Sequence, residues 1–428
     1  MYCKNCKKNK LKKIVKLEKQ PISSVFLSKK KFNLKKYSLD LYECNSCKLV
    51  QFSSLPPLGD MYGETYGYRT SLSNLMVNHM KNKFIKIIKN KKILNNKNLI
   101  LDIGSNDGTF LNFFAKKNKN LQLYGIDPSS EKFSKYYNEN IELVTNFFSY
   151  KNLKKHIKNE KIIKNQFSLI TSFAMFYDID KPNDFCEDIS KLLDKNGEWI
   201  SEFSYFPLLI KNLTYDQICH EHVTYYTLTT FQNIVSKNGL KIIDLSFNEI
   251  NGGSIEVVCC KKNSKKIPNY KKINEVLNDE KNIDHQSYER LNLRVRNTKK
   301  ILQTFVREIG KKNIIGYGAA TKGNIVLNQC EFTEKDIPYI CDENPYKFGK
   351  YTPGSNIPII SKKKMRTLKP KYLLILIWSF RSEVIKQEKK YIENGGSLVF
   401  HLPILHIVDK SNYREYLNKD FKAFSFNY

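Results

Sequence analysis

The sequence predicts an α/β protein in three parts, a small cysteine-bearing N-terminal domain followed by two units in which strands and helices alternate. Two Cys-x-x-Cys pairs lie near the start of the chain. Apolar runs then alternate with helical segments, first between residues 99 and 260 and again from residue 314. This alternation is typical of parallel strands connected by helices. We place the domains at residues 1–75, 76–262 and 263–428.

Apolar runs of strand length define these two units. In the middle unit the predicted strands are 99–103, 121–126, 168–173, 198–203 and 255–260. In the third unit they are 314–318, 337–341, 373–378 and 398–402. Between the units, the Lys- and Asn-rich residues 261–285 are predicted to be a linker, and apolar residues at helical spacing predict a long amphipathic helix over 288–309.

The 428-residue chain carries a formal net charge of +30, nearly all of it from Lys. Its basic runs, such as residues 29–31 and 362–364, are short and lack interleaved aromatic residues. We therefore expect no nucleic-acid partner, and a bias toward anionic small molecules. No stretch approaches the roughly 20 apolar residues of a membrane span, and the first residues lack a secretory pattern. We expect a cytoplasmic protein without membrane contact, as a monomer or weak homodimer.

The two Cys-x-x-Cys pairs have the spacing of a structural zinc site. Each pair lets two thiolates converge on one ion, and two pairs complete a tetrahedral shell with no open position. Four unrelated thiols are the alternative, whereas a redox pair is disfavoured because neither motif follows a strand and opens a helix. The predicted zinc ligands are Cys3, Cys6, Cys44 and Cys47.

A glycine turn at residues 102–108 joins the first predicted strand of the middle unit to a helix, and Asp127 ends the next strand. This is the first half of a nucleotide-binding unit. Asn106 stands where a dinucleotide fingerprint has its second Gly, and the carboxylates of Asp102 and Asp107 would repel a pyrophosphate. They suit the cationic S-adenosylmethionine, with a nicotinamide cofactor or a turn without ligand as alternatives. The candidate cofactor-binding residues are Asp102, Gly104, Asn106, Gly108, Asp127 and Asn146.

A polar and aromatic cluster over residues 215–226 contains the best candidates for proton transfer: His220, Glu221 and His222. A His with a near-neutral pKa is a preferred general base for a proton next to a carbonyl, and a neighbouring Glu can orient it. Two alternatives remain open. Cys219 and both His could bind a metal, or the two His could be hydrogen-bonded residues beside the sheet.

Taken in order, these motifs resemble those of the sugar C-methyltransferases of deoxysugar biosynthesis. The resemblance rests on the two cysteine pairs, Tyr-Gly-Tyr-Arg-Thr-Ser at 66–71, Asp-Ile-Gly-Ser-Asn-Asp-Gly at 102–108 and the His-Glu-His segment. It continues through Asn-Gly-Gly-Ser at 251–254 and Gly-Tyr-Gly-Ala-Ala-Thr-Lys-Gly-Asn at 316–324, so it covers almost the whole chain. It implies a zinc-binding N-terminal domain, a class I methyltransferase Rossmann-like domain and a second Rossmann-like C-terminal domain.

The resemblance also implies a reaction: S-adenosylmethionine-dependent C-methylation of a nucleotide-linked keto-deoxysugar, typically thymidine-diphosphate-linked. His222 would be the base, Glu221 its neighbour, and Tyr68 would close over the substrate, while Gly318 and Lys322 would contact the nucleotide end. The chain departs from relatives at four positions: Asp178 stands where they tend to have His, and many have Tyr, His and Arg at the positions of Cys219, Asn251 and Glu256. The candidate catalytic residues are His222, Glu221, Tyr68 and Asp178, and the candidate substrate-binding residues are His220, Tyr225, Asn251 and Lys322.

Two other functions are compatible with these motifs. An O- or N-methyltransferase acting on glycans would use the same cofactor with a different nucleophile. A non-catalytic, zinc-stabilised nucleotide-sugar binding protein would keep the fold with a degenerate cofactor pocket.

Overall fold

The computed structural model of the chain describes residues 1–57, 61, 69–89, 91–95, 98–157 and 167–419. Three β-sheets divide these residues, so the predicted α/β architecture in three parts is confirmed. The candidate Tyr68 lies outside the described residues.

The N-terminal sheet is small and antiparallel, and one of its strands comes from much later in the chain. Its strands, in spatial order, are β1 (Leu11–Val15), β2 (Leu41–Cys44), β3 (Val50–Phe52) and β9 (Thr224–Tyr225). Val50 pairs with Tyr225 and Gln51 with Thr224, and the Phe52 amide donates to the Val223 carbonyl at 3.2 Å. The strand that follows His222 is therefore held by the cysteine-bearing domain.

The middle sheet is mixed, whereas the sequence predicted a parallel one. Within the described residues it has seven strands in the order β10-β11-β8-β7-β4-β5-β6. Six strands run in one direction, and β11 alone is reversed because it pairs antiparallel with both β8 and β10. Their bounds are β4 Leu99–Ile103, β5 Gln122–Ile126, β6 Ile141–Val144, β7 Phe167–Phe173, β8 Leu193–Ser204, β10 Leu240–Asn248 and β11 Ser254–Lys261.

Helices cover both faces of the middle sheet, and the last of them lies beyond the predicted domain boundary at residue 262. The helix α7 lies within the predicted linker, yet Ile273 is 3% exposed and packs in the core of the middle unit. Its last residue, Glu280, accepts a hydrogen bond from the Tyr205 hydroxyl at 2.6 Å. Residues 270–280 therefore pack on the middle unit, and the boundary at residue 262 stays a prediction. The helices are α1 Asn74–Ile88, α2 Thr109–Lys117, α3 Tyr150–His156, α4 Pro182–Leu192, α5 Phe206–Asn212, α6 Leu228–Lys237 and α7 Tyr270–Glu280.

The third unit begins with the predicted long amphipathic helix, α8 (His285–Ile309). Its sheet has the order β14-β13-β12-β15-β16-β17, parallel except for the antiparallel edge strand β17. The strands are β12 Ile314–Tyr317, β13 Ile340–Asp342, β14 Ile359–Ser361, β15 Tyr372–Ile375, β16 Ser397–Phe400 and β17 His406–Val408. The helices are α9 Thr321–Gln329, α10 Lys362–Leu368, α11 Arg381–Gln387, α12 Lys389–Glu393 and α13 Tyr413–Asn418.

The third unit contacts the middle unit through the carboxyl edge of its sheet. Trp378, just beyond β15, donates from Nε1 to the Asp216 carboxylate at 2.7 Å. The same indole packs against Gly252, where an added Cβ would lie 2.7 Å from the ring. In α/β sheets, ligands bind at the carboxyl ends of the strands, so this contact marks the region in which to look for a site. No described helix is long and apolar enough to cross a membrane.

Candidate active site

The four predicted zinc ligands form one cluster. Their sulfur atoms all lie within 4.8 Å of one another, with 3.4 Å between Cys3 and Cys47 and 3.5 Å between Cys6 and Cys44. Four thiolates around a tetrahedral zinc at about 2.3 Å would be separated by about 3.8 Å, so the cluster fits the ion. Such a shell has no open position for a substrate, which makes the zinc structural.

The two cysteine pairs have the same backbone geometry. After each pair a Lys adopts a left-handed conformation, Lys7 at φ 60° and Lys48 at φ 63°. In each pair the amide of that Lys donates to the carbonyl of the first Cys, at 3.0 Å in the first pair and 2.8 Å in the second. The repeated turn directs two sulfur atoms from each pair toward one point, as the spacing predicts.

The cofactor loop, residues 104–108, connects β4 to α2. Gly104 has φ +74°, and an added Cβ would lie 3.1 Å from the Met175 side chain, so a larger residue would disrupt the turn. Behind the loop, the Thr171 hydroxyl donates to the buried Asp102 carboxylate at 2.6 Å. Burial raises the pKa of Asp102 to about 7, although the Thr171 hydrogen bond opposes the shift.

Asp127 lies at the carboxyl end of β5, beside the cofactor loop. Its carboxylate accepts hydrogen bonds from the Asn106 amide at 3.0 Å and from the Ser129 amide and hydroxyl at 2.7 and 2.6 Å. A carboxylate has about four acceptor positions, so capacity remains for a ligand hydroxyl. An acidic residue here is the usual acceptor for ribose hydroxyls, and the residues therefore fit the adenosine part of S-adenosylmethionine. Asn146, beyond β6, is exposed at the same sheet edge.

The segment before α1 packs on the cofactor loop. The Thr70 amide donates to the Asn106 side chain and the Ser71 amide to Asp107, both at 2.9 Å. The Arg69 guanidinium stacks on the Tyr136 ring at 4.3 Å. The residue next to the predicted Tyr68 is therefore anchored at the cofactor site.

His222 is buried in the segment that links the middle unit to the N-terminal sheet. Its ring lies 4.1 Å from the Tyr177 ring, and a backbone hydrogen bond with Gln217 holds the imidazole. Burial, with the Lys322 ammonium as a second cause, lowers the pKa of His222 to about 3. The imidazole is therefore neutral at pH 7.

Two carboxyl groups accompany this histidine. Burial, followed by the nearby Glu221 carboxyl, raises the pKa of Asp178 well above its ordinary value. Burial also raises the pKa of Glu221, against a hydrogen bond from Ser24 of the N-terminal domain. Burial therefore favours the protonated form of Asp178, which stands where relatives tend to have His.

The third unit contributes Lys322, from the first turn of α9. Its ammonium donates to the Asn251 side chain at 2.7 Å and interacts with the Asp216 carboxylate and the His222 ring. Burial raises the pKa of Asp216 to about 6, opposed by Lys322 and by the Trp378 hydrogen bond. The sequence associated Lys322 with the nucleotide end, but the structure brings it beside the candidate base.

Two candidates for substrate binding are enclosed by protein groups. The His220 ring packs edge-on against Tyr37, and burial lowers its pKa to about 4. The Tyr225 hydroxyl donates to the Gln217 carbonyl at 3.3 Å, and its ring packs against Phe52. Both stay predictions, and these contacts support the segment that carries His222.

Sequence reasoning missed a buried ion network on the opposite face of the sheet. His79 of α1 lies 2.8 Å from Glu202 of β8, and Lys83 bridges Glu202 and Glu256. Lys86 also pairs with Glu256 at 2.7 Å. Burial acts to raise the pKa of Glu256, but the two lysines outweigh it and lower the pKa to about 2. The negative charge of Glu256, which stands where many relatives have Arg, is thus compensated by Lys83 and Lys86.

Replacing Asp127 by Ala should weaken S-adenosylhomocysteine binding by about ten- to a hundredfold, because a charged acceptor is lost. Isothermal titration calorimetry measures this directly. Asp409→Ala is a matched control, since Asp409 makes the same contacts to Ser411, at 2.8 and 2.6 Å, far from any cofactor loop. Unchanged binding in Asp127→Ala, or tight NADH binding by the wild type, would refute the assignment.

Comparisons with known proteins match all three units. A zinc binding domain model matches residues 3–62, a methyltransferase domain model residues 76–245, and a C-methyltransferase C-terminal domain model residues 249–403. The C-methyltransferase NovU of Streptomyces niveus is 26% identical over 373 residues, which cover 86% of this chain and 86% of NovU.

Solved structures resemble parts of the chain at low scores. The PH0226 protein of Pyrococcus horikoshii OT3 has a TM-score of 0.35 at 13% identity, covering 46% of this chain and 95% of its own. The plantazolicin methyltransferase BpumL has a TM-score of 0.35 at 12% identity, covering 45% and 87%. Neither similarity is strong enough to carry an argument. Because each of its units is matched in order by the corresponding domain model, the chain is a class I S-adenosylmethionine-dependent methyltransferase that is similar over most of its length to the C-methyltransferase NovU.

Proposed function

We propose that this enzyme methylates a carbon atom next to the ketone of a nucleotide-linked keto-deoxysugar. The observation that carries the proposal is the environment of His222, a neutral, hydrogen-bonded imidazole between the Tyr177 ring and the Lys322 ammonium. An oxygen nucleophile needs only modest assistance, whereas a carbon nucleophile requires removal of a C–H proton by a positioned base. The Lys322 ammonium disfavours the protonated imidazole, but it can stabilise the negative charge that this step leaves on the substrate.

The base is prepared by its neighbours. The backbone hydrogen bond with Gln217 fixes the ring orientation and leaves the second imidazole nitrogen to take the proton. Tyr177 belongs to the loop after β7 that also places Met175 against Gly104. One loop thus connects the base to the cofactor loop, which favours a near-attack arrangement of the two reacting groups.

Removal of the proton leaves negative charge on the ketone oxygen. Lys322 is the cation available to stabilise it, and the buried Asp178 carboxyl, whose raised pKa favours the protonated form, would donate a second hydrogen bond. A buried cation and a neutral acid aimed at developing charge act more strongly than in water. S-adenosylmethionine, when bound, supplies the electrophilic methyl group.

Charge and two lysines of the third unit support a nucleotide carrier for the sugar. Lys322 and Lys347 both lie at the carboxyl edge of the third sheet, near the first turn of α9. A diphosphate carries the charge that such an edge attracts. This supports an anionic, nucleotide-linked sugar over a neutral one.

Incubation of wild-type enzyme with S-adenosylmethionine and a panel of nucleotide-linked 4-keto sugars tests the proposal. We expect a product heavier by one methyl group whose methyl carbon is bonded to carbon in a heteronuclear NMR correlation. In D₂O with S-adenosylhomocysteine, the same sugar should exchange the proton next to its ketone. A methyl ether as product, without exchange, would instead establish an O-methyltransferase.

A further inference from the structure

One residue of the third unit, Trp378, supports both protein groups that act on the Lys322 ammonium. Trp378 is 1% exposed, and its Nε1 donates to the buried Asp216 carboxylate at 2.7 Å. Its ring also packs on Gly252, where an added Cβ would lie 2.7 Å away, so this close approach requires glycine. The residue before that glycine, Asn251, accepts a hydrogen bond from Lys322 at 2.7 Å. The indole therefore holds the surroundings of the cation in place.

The Asp216 carboxylate belongs to the turn that orients the candidate base, residues 215–217. A backbone hydrogen bond with the next residue, Gln217, holds the His222 ring. The Gln217 side chain accepts from the Ser204 hydroxyl at 2.5 Å, so the middle unit fixes one side of this turn. The indole of the third unit fixes the other side through the carboxylate.

Asp216 and Lys322 stabilise each other in their charged forms. Burial raises the pKa of Asp216 to about 6, opposed first by Lys322 and then by the Trp378 hydrogen bond. Burial lowers the pKa of Lys322, opposed first by the Asp216 carboxylate. Other titratable groups that face this pair are Tyr215, Cys219 and His222. Burial raises the pKa of the first two and lowers that of the third, so all three are neutral at pH 7.

We infer that Asp216 and Trp378 are positioning residues for the methyl transfer: Trp378 holds the Asp216 carboxylate, and this carboxylate keeps Lys322 protonated where the ketone oxygen becomes charged. The inference rests on the proposed function, from which it takes the role of Lys322. Because Trp378 and Lys322 come from the third unit and Asp216 from the middle unit, the cation stays charged only while the two units are in contact.

Tryptophan fluorescence tests the contact without any substrate. The chain has two tryptophans, so Trp199→Phe leaves Trp378 as the only indole. We expect its emission in this variant to titrate with a midpoint at about pH 6, the pKa of Asp216, and the titration to be absent once Asp216→Asn is added. An emission that stays constant through the mildly acid range, or that titrates equally in the double variant, overturns the inference.

Turnover of Trp378→Phe tests the role in the reaction, with the nucleotide-linked 4-keto sugar of the panel that reacts fastest. Phe keeps an aromatic ring but loses the N–H donor, so the pKa of Asp216 should rise by roughly one to two units. Turnover relative to the wild type should therefore fall by about three- to tenfold at pH 7 and recover at higher pH, where the carboxyl is ionised again. A ratio that does not change with pH overturns the inference.

Trp199→Phe is the matched control for that ratio. Trp199 is equally buried, and its Nε1 donates to the neutral Ser172 hydroxyl at 2.9 Å in the core of the middle unit. Its loss removes a hydrogen bond from the core without affecting a charged group. The turnover of this variant, relative to the wild type, should therefore not depend on pH.

Asp216→Asn removes the charge and keeps an acceptor for the indole. Loss of the nearby anion should lower the pKa of Lys322 by roughly one to three units, so the alkaline limb of turnover should move to lower pH by the same amount. S-adenosylhomocysteine should bind as in the wild type and thereby report a folded middle unit. An alkaline limb that stays in place overturns the inference, while a wild type that forms the C-methyl product leaves the proposed function standing. A wild type that forms a methyl ether refutes both.

Discussion

Replacing His222 by Asn should lower turnover by about 10²–10⁴-fold, the usual contribution of a general base, while S-adenosylhomocysteine binds unchanged. Asn keeps a donor for the backbone hydrogen bond with Gln217 but offers no basic nitrogen. Loss of proton exchange in D₂O should accompany loss of turnover, because both steps need the same base. Single-turnover kinetics and NMR detection of exchange measure the two effects.

The control for this substitution is His285→Asn, at the exposed start of α8, where the ring is 56% exposed. It should leave turnover and exchange at the wild-type level. Retained exchange in His222→Asn would move the role of base to another group, with His220 and Glu221 the nearest in sequence. Loss of S-adenosylhomocysteine binding together with turnover would indicate instead that the fold of the segment had failed.

The elements that could be predicted from the sequence are those whose signal is local. Apolar runs predicted β4 with its bounds and placed β5, β7, β8 and β11, because burial on both faces leaves a continuous apolar stretch. The cysteine spacing likewise predicted the zinc cluster, since the geometry of each turn is contained in a few residues.

Pairing between distant segments left no local signal. The two-residue strand β9 exists only because β3 lies beside it. Residues 270–280 form a helix on the middle unit through Ile273, although their Lys- and Asn-rich composition is that of a linker. The reversed strand β11 cannot be distinguished from a parallel strand by apolar periodicity alone.

The candidate site shows the same limit. The cofactor loop and the His-Glu-His segment were found because motifs are contiguous, whereas Trp378 reaches Asp216 across 162 residues of sequence. The His79–Glu202 pair joins a helix to a strand, and a single His on a helix gives no indication of its partner. One available signal was the position of Trp378 after a parallel strand, at the edge where ligand sites form.

Removing one zinc ligand should destabilise the N-terminal domain and, through β9, disable the base. We expect Cys44→Ala to contain no zinc, whereas the wild type binds one ion per chain by elemental analysis. Structural zinc contributes roughly 10–16 kcal/mol to the folding of small zinc domains, so limited proteolysis should cut the first 57 residues of the variant. β3 follows Cys47 by three residues and pairs with the strand after His222, so turnover should fall although zinc takes no part in the chemistry.

The matched control is Cys186→Ala, which removes an equally buried thiol that lies in the core of the middle unit, outside the zinc cluster. It should retain zinc, and proteolysis should spare its first domain. The zinc domain also contacts the loop that carries Asp178, because Asn183 donates to the Asn5 carbonyl at 3.1 Å and Lys4 pairs with Asp180. Loss of zinc should therefore disturb the site in two ways, through β9 and through the loop that carries Asp178. A zinc-free Cys44→Ala variant that resists proteolysis and turns over normally would show that the cluster neither stabilises the domain nor positions His222.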